Sequence, residues 1–249
     1  MSRYFLEVSY KGTNYSGFQV QKNANSIQAE IERAIQLLQK QKIELTGSSR
    51  TDAGVHAIQN FFHFDFDGEL SAHFLYKMNA ILPGDIVVQN LIPVMAEAHC
   101  RFDALSREYK YFIYRHKNPF LAERAFYFPY KLNLDLMQEA AAMIRAYNDF
   151  TSFSKRNTQV KTFNCRIVES KWEWEGESLE FYVKADRFLR GMVRALVATM
   201  LKIGRGKMTI AEFKNLIEEK DCSKASFAAP SHGLFLVRVN YPENLFERQ

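Results

Sequence analysis

Cysteine is scarce. Cys100, Cys165 and Cys222 are an odd number in 249 residues and include no C-x-x-C pair, which argues against a disulfide framework and against a cysteine-based zinc site. The six histidines show no H-x-H or H-E-x-x-H spacing, so a histidine-rich metal centre has no support either. Long apolar runs are missing. The longest, Ala195 to Leu201 interrupted by Thr199, falls far below the roughly 18 residues of a membrane span. The first residues alternate like a strand and lack the charged-then-apolar blocks of a secretory signal. No repeat or low-complexity tract is found. These absences predict a cytoplasmic protein that works without metal or cofactor and has no membrane partner.

What remains is ordinary globular composition, 47% apolar and 24% charged, in a length that suits one large domain or two small ones. The net charge of +5 is a mild hint of a polyanionic partner. Its distribution says more. Lys184 to Lys207 holds seven basic residues against one acid, Asp186, and Thr151 to Val168 adds Lys155, Arg156, Lys161 and Arg166 with no acid. At 100° per residue Arg187, Arg190, Arg194 and Lys202 share one side of the first segment and Phe188, Met192, Leu196, Met200 and Ile203 the other. That pattern predicts a half-buried helix with a cationic stripe. A merely solvated face is the bland alternative, but a stripe of one sign repels itself unless a polyanion neutralises it.

Periodicity predicts strands at Tyr4–Tyr10, Asn60–Phe66, Ile86–Ile92, Glu108–Arg115, Ile167–Trp174, Leu179–Lys184 and Gly233–Tyr241. Helices are predicted from Ser26 to about Lys40, after Ser71, over Asp135–Ala146 and after Thr209, where Thr209 and Glu212 form a capping box. The order βαβαβ then βαββααβ does not alternate strictly, so an α+β fold with a mixed or antiparallel central sheet flanked by helices fits best. A division near Ala96 to Ser106 would give an N-terminal subdomain of residues 1–105, and a more basic C-terminal subdomain of residues 106–249 carrying the basic helix.

Asp52 stands out for chemistry. It lies in the polar stretch Gly47-Ser-Ser-Arg50-Thr-Asp52-Ala-Gly54-Val-His56, two residues from Arg50. A guanidinium within about 4 to 6 Å keeps a carboxylate ionised and fit to act as nucleophile or base. An Asp that caps its own turn is the alternative. Metal binding by Asp52 and His56 lacks an identifiable third ligand.

That stretch closely resembles the active-site signature of the tRNA pseudouridine synthase A family. The likeness continues through Tyr10-Lys-Gly-Thr-Asn-Tyr15-Ser-Gly17-Phe18-Gln19, Leu82-Pro-Gly-Asp85, Ser106-Arg107-Glu-Tyr109-Lys-Tyr111, Asp149-Phe150-Thr-Ser-Phe153 and Phe188-Leu-Arg-Gly-Met-Val-Arg194, ending at Gly233-Leu234. Nearly the whole chain is covered, in the family's order. Two positions depart from it: Phe18 stands where a tryptophan is usual, and Ser49 adds a hydroxyl where small apolar residues are common.

The resemblance implies a pseudouridine synthase-like fold of two similar subdomains. It also implies isomerisation of uridine to pseudouridine at positions 38, 39 and 40 of the tRNA anticodon stem-loop, by a homodimer and without a cofactor. Asp52 matches the catalytic aspartate, Tyr109 the base-stacking tyrosine, Arg50 the arginine beside the nucleophile, and Arg194 the arginine that pairs with that aspartate. Arg187, Arg190, Lys155 and Arg156 are candidate RNA contacts. A noncatalytic RNA-binding protein is the runner-up, supported by basic patches interleaved with Phe150, Phe153, Phe163 and Phe188. A metal-dependent nuclease or phosphatase is a distant third.

Overall fold

The computed structural model describes residues 1–156 and 160–246. They gather into two compact units, one built from Met1–Leu105 and the segment from Phe235 onward, the other from Ser106–Leu234. The expected C-terminal subdomain of residues 106–249 differs from this at its end, because the closing strand pairs with the N-terminal unit.

In the first unit, β1 (Ser2–Tyr10) lies between β3 (His56–Phe66) and β4 (Ile86–Val94) and is antiparallel to both. β2 (Thr46–Gly47) pairs antiparallel with β3, and β9 (Leu234–Asn240) joins β3 in parallel, with His56 opposite Phe235. Helix α1 (Ile27–Gln39) starts where the Ser26 side chain accepts from the Ala29 N–H, and it buries Ile27, Ile31, Ala34 and Ile35, the three-to-four-residue spacing of one helical face. Helix α2 (Phe74–Ile81) begins later than a Ser71 cap implies. His73 holds the cap position, while Ser71 Oγ accepts from the His73 N–H.

In the second unit, β5 (Ser106–Tyr114), β8 (Ser178–Ala185) and β7 (Ile167–Glu175) form an antiparallel set, with β6 (Phe126–Tyr127) parallel to β5. Helices α3 (Leu134–Met143), α4 (Met192–Gly204) and α5 (Ile210–Glu218) follow the predicted order, and the Thr209–Glu212 capping box is formed reciprocally. The mixed strand pairing and accompanying helices place the chain in the α+β class, as expected. The two-residue strands β2 and β6 were too short to leave a period.

One expectation fails. Lys184 to Lys207 is not a single amphipathic helix. Strand pairing of β8 with β5 runs through Ala185, and Gly191 adopts a left-handed backbone (φ 76°) before α4 starts at Met192. Arg187 and Arg190 therefore lie in the connection. Of the stripe only Arg194 and Lys202 sit on the helix, which is buried at eleven of its positions. Lys184 is already paired with Glu108 across the sheet at 3.2 Å. The rotation at 100° per residue joined two elements that have different periods.

Candidate active site

In the first unit the Tyr10–Gln19 motif packs onto the Asp52 loop, and the Leu82–Asp85 stretch braces that motif in turn. The Ser48 N–H donates to Phe61 O at 2.8 Å, and the Phe18 N–H donates to Thr51 O at 3.1 Å. Tyr10 Oη and Thr51 Oγ1 are 2.8 Å apart. The Gly12 N–H donates to His56 Nδ1 at 3.0 Å, which fixes that buried imidazole as an acceptor at this nitrogen. Asp85, from the Leu-Pro-Gly-Asp stretch, accepts the Lys11 N–H on its backbone oxygen and the Asn14 amide on its carboxylate. Gly17 (φ 110°) allows the close approach, since a Cβ there would lie 3.0 Å from Thr51 O. Backbone polar groups of the loop thus find partners inside the protein rather than in water.

Sequence reasoning missed the residue at the centre of this arrangement. Asn60 is fully buried, and its amide donates to Tyr10 Oη at 3.2 Å and to Ser49 O at 2.8 Å, while its Oδ1 accepts from the Phe61 N–H at 2.9 Å. A lone Asn in an aromatic strand reads as an outward polar position. Here it clamps the loop from beneath, and Ser49 takes part through its carbonyl, which any residue supplies. Phe18 is likewise structural: its ring stacks on Phe62 at 4.4 Å and 10°, and it is 1% exposed.

The clamp leaves Asp52 half-buried, with its backbone oxygen accepting the Val55 N–H at 3.1 Å. Arg50 is exposed, its guanidinium 3.4 Å from Gln19 Oε1. A carboxylate on a rigid, partly open loop is placed to meet a reactant that comes to it.

Tyr109, Arg194, Arg187, Arg190, Lys155 and Arg156 belong to the second unit. Tyr109 lies on β5, only 8% exposed, with its ring edge-on to Phe188 at 5.0 Å. Arg194 is in the first turn of α4, where its Nε donates to Ala229 O at 2.7 Å and Nη2 to Phe227 O at 3.4 Å. These carbonyls aim the guanidinium. The Lys155 N–H donates to Arg190 O at 3.1 Å, and Arg187 Nη1 reaches Thr162 O at 3.5 Å. The two basic stretches noted in the sequence therefore meet. Phe150 and Phe153 are fully buried, so they cannot serve as base-stacking surfaces between those charges. Tyr111 donates to Pro230 O at 2.8 Å, in space left by Gly233, and burial pushes its phenol pKa upward.

Among the described residues one group has metal-ligand chemistry: His63, His99 and Cys100, with ligand atoms within 4.8 Å of one another. Separation along the chain hid it from spacing arguments. Its atoms are engaged structurally. Cys100 Sγ lies 3.1 Å from His63 Nδ1 and 3.2 Å from Thr46 O, and His99 Nδ1 accepts the Arg101 N–H at 3.1 Å. Burial first, then the neighbouring His99 and Arg3, pushes the His63 pKa down to about 4. Because the folded value lies below the ordinary one, the unfolded chain binds the extra proton, and stability is lost as pH falls from about 6.5 towards 4. Thermal unfolding across this range should show a loss of about 1 to 2 kcal/mol that His63→Gln removes. A variant with the same pH slope as the wild type would contradict this assignment.

Comparison with known proteins places this α+β scaffold in a class, the isomerases that act on tRNA uridines. A family model described as tRNA pseudouridine synthase matches residues 7–103 and 140–242. The chain belongs to the tRNA pseudouridine synthase family. It is similar to the tRNA pseudouridine synthase A of Parabacteroides distasonis, 47% identical over 249 residues that cover 99% of this chain and 98% of the relative. The protein of that name from Porphyromonas gingivalis is 45% identical over 99% of this chain and 100% of its own. That of Staphylococcus aureus strain JH1 is 35% identical over 97% and 92%. No helix among the described residues is long and apolar enough to cross a membrane.

Proposed function

We propose that this chain converts uridine to pseudouridine at positions 38, 39 and 40 of the tRNA anticodon stem-loop, with Asp52 as nucleophile and no cofactor. The observation that carries this reading is the anchoring of the Asp52 loop, itself a family-like motif, to the Tyr10–Gln19 motif and to Asn60 by buried hydrogen bonds. The reaction breaks the N1–C1′ bond, turns the detached uracil and joins C5 to C1′. C5 releases its hydrogen as a proton and N1 ends protonated, so the product is an isomer. An ionised Asp52 can attack C1′, add to C6 of the ring or take a proton from the sugar.

Each route needs the nucleotide out of its stack, at a cost of a few kcal/mol. Tyr109 is assigned to stack on the extruded base, Arg50 to occupy the space beside the nucleophile, and Arg194 to pair with Asp52 and hold it ionised. The Ala229 and Phe227 carbonyls hold the Arg194 guanidinium in one orientation, as a positioned partner requires. Arg187, Arg190, Lys155 and Arg156 are assigned to tRNA phosphates. Replacing Arg187 and Arg190 together with Ala should weaken tRNA binding about tenfold at low salt and lower the slope of log affinity against log salt by about 1 to 2. An unchanged slope would remove these two residues from the interface. The active form is proposed to be a cytoplasmic homodimer, which sedimentation of the purified protein tests. Pseudouridine mapping in tRNA from cells lacking the protein tests the specificity: all three sites should revert to uridine. Unaltered modification there would refute it.

A further inference from the structure

The first unit carries an exposed aromatic residue at a cavity beside Arg50. A cavity of about 260 Å³ opens there, lined by Gln19, Gly47, Arg50, His99, Arg101 and Phe102. Its rim is an exposed aromatic ring, since Phe102 is 74% exposed. The ring belongs to a ladder. His63 meets His99 edge-on at 4.6 Å, and His99 lies against Phe102 at 4.2 Å and 38°. Phe102 ends that ladder at the surface.

The turn that presents Phe102 is tightly fixed. The Phe102 and Asp103 N–H groups both donate to His99 O at 3.1 Å, the His99 N–H donates to Asp103 Oδ2 at 2.7 Å, and the Cys100 N–H donates to His63 Nδ1 at 3.3 Å. The only carboxylate in the turn, Asp103, is thereby engaged with backbone. Around the ring the charge is positive: Arg101 lies over it at 5.7 Å, and Arg50 lines the same cavity. Gln19 offers amide hydrogens there, its oxygen being the partner of Arg50. A fixed, exposed aromatic with one guanidinium over its ring and a second lining the same cavity matches a nucleotide, with a π face for the base and two cations for the flanking phosphates. Because Arg50 is two residues from Asp52, the nucleotide in question is close in the strand to the one that reacts.

We propose that Phe102, with Arg101 and Arg50, forms a subsite that stacks an unpaired nucleobase adjacent to the target uridine. The proposal rests on the pseudouridine synthase reading of the Asp52 loop. It makes Phe102 a positioning residue that acts on the RNA.

The test combines variants with altered RNA. For Phe102→Ala, the dissociation constant and KM for tRNA should rise about tenfold, with kcat within about twofold and an unchanged melting temperature. Phe102→Trp should restore affinity, and Phe102→Leu should not. Abasic residues placed one at a time beside the target uridine of an anticodon stem-loop should reveal one position whose removal costs as much as Phe102→Ala and adds nothing to it. Binding within twofold of wild type for Phe102→Ala, equal rescue by leucine, or full additivity with every abasic position would overturn the subsite. Absence of pseudouridine with the wild-type protein would instead overturn the parent reading, while the binding comparison would still decide the fate of Phe102.

Discussion

Asp52→Ala is expected to lower pseudouridine formation by at least about 10⁴-fold while tRNA affinity stays within about twofold of wild type. The large first number follows from removing the only group assigned to bond chemistry, for which positioning and stacking cannot substitute. The small second number follows from charge. A carboxylate repels phosphates, so its loss cannot weaken binding through Coulomb forces. The loop should keep its shape, because the Ser48 N–H, Thr51, the Ser49 carbonyl and Asn60 anchor it. Measuring single-turnover conversion and filter binding on one preparation checks both numbers. Product formation at the wild-type rate would exclude Asp52 as nucleophile, and a parallel collapse of binding and melting temperature would assign it a structural role.

Gly12→Ala should be the most damaging small change outside the nucleophile. A Cβ on Gly12 would lie 2.0 Å from the Val55 carbonyl oxygen and 2.8 Å from its carbon. Both atoms are backbone, so no side chain can swing away. The two strands of chain must part, and the Gly12 N–H bond to the buried His56 imidazole is lost with them. Overpacking typically costs about 1 to 3 kcal/mol and an unsatisfied buried polar group about as much again. A melting temperature lower by many degrees, with activity lost even where the protein remains folded, is the expected result. A variant with wild-type stability and turnover would show that the Lys11–Asn14 turn does not position the catalytic loop.

Much of this was legible in the sequence, for identifiable reasons. Helix α1 announced itself through Ser26 and the Ile27, Ile31, Ile35 spacing, and α5 through its capping box, because caps and apolar periods are local properties. The loop of Asp52 was legible as a motif. The hydrogen bonds that hold it were not: Tyr10 and Asn60 are distant in sequence, and only strand register brings them together. The same holds for His63 with His99 and Cys100. The segment 184–207 misled because a helical projection assumes one element throughout, whereas β8 pairs through Ala185 and Gly191 turns the chain before α4. Phe150 and Phe153 looked like aromatics available to RNA, but both are buried, Phe153 against Phe213 of α5 and Phe150 beside Phe153, through contacts that no local pattern encodes.

The most direct measurement is nucleotide analysis of an unmodified tRNA transcript carrying uridine at positions 38, 39 and 40, after incubation with the purified protein in the presence of a chelator. The account predicts conversion of those uridines to pseudouridine, with none by Asp52→Ala. A transcript that binds the wild-type protein and yet keeps every uridine unchanged would contradict it.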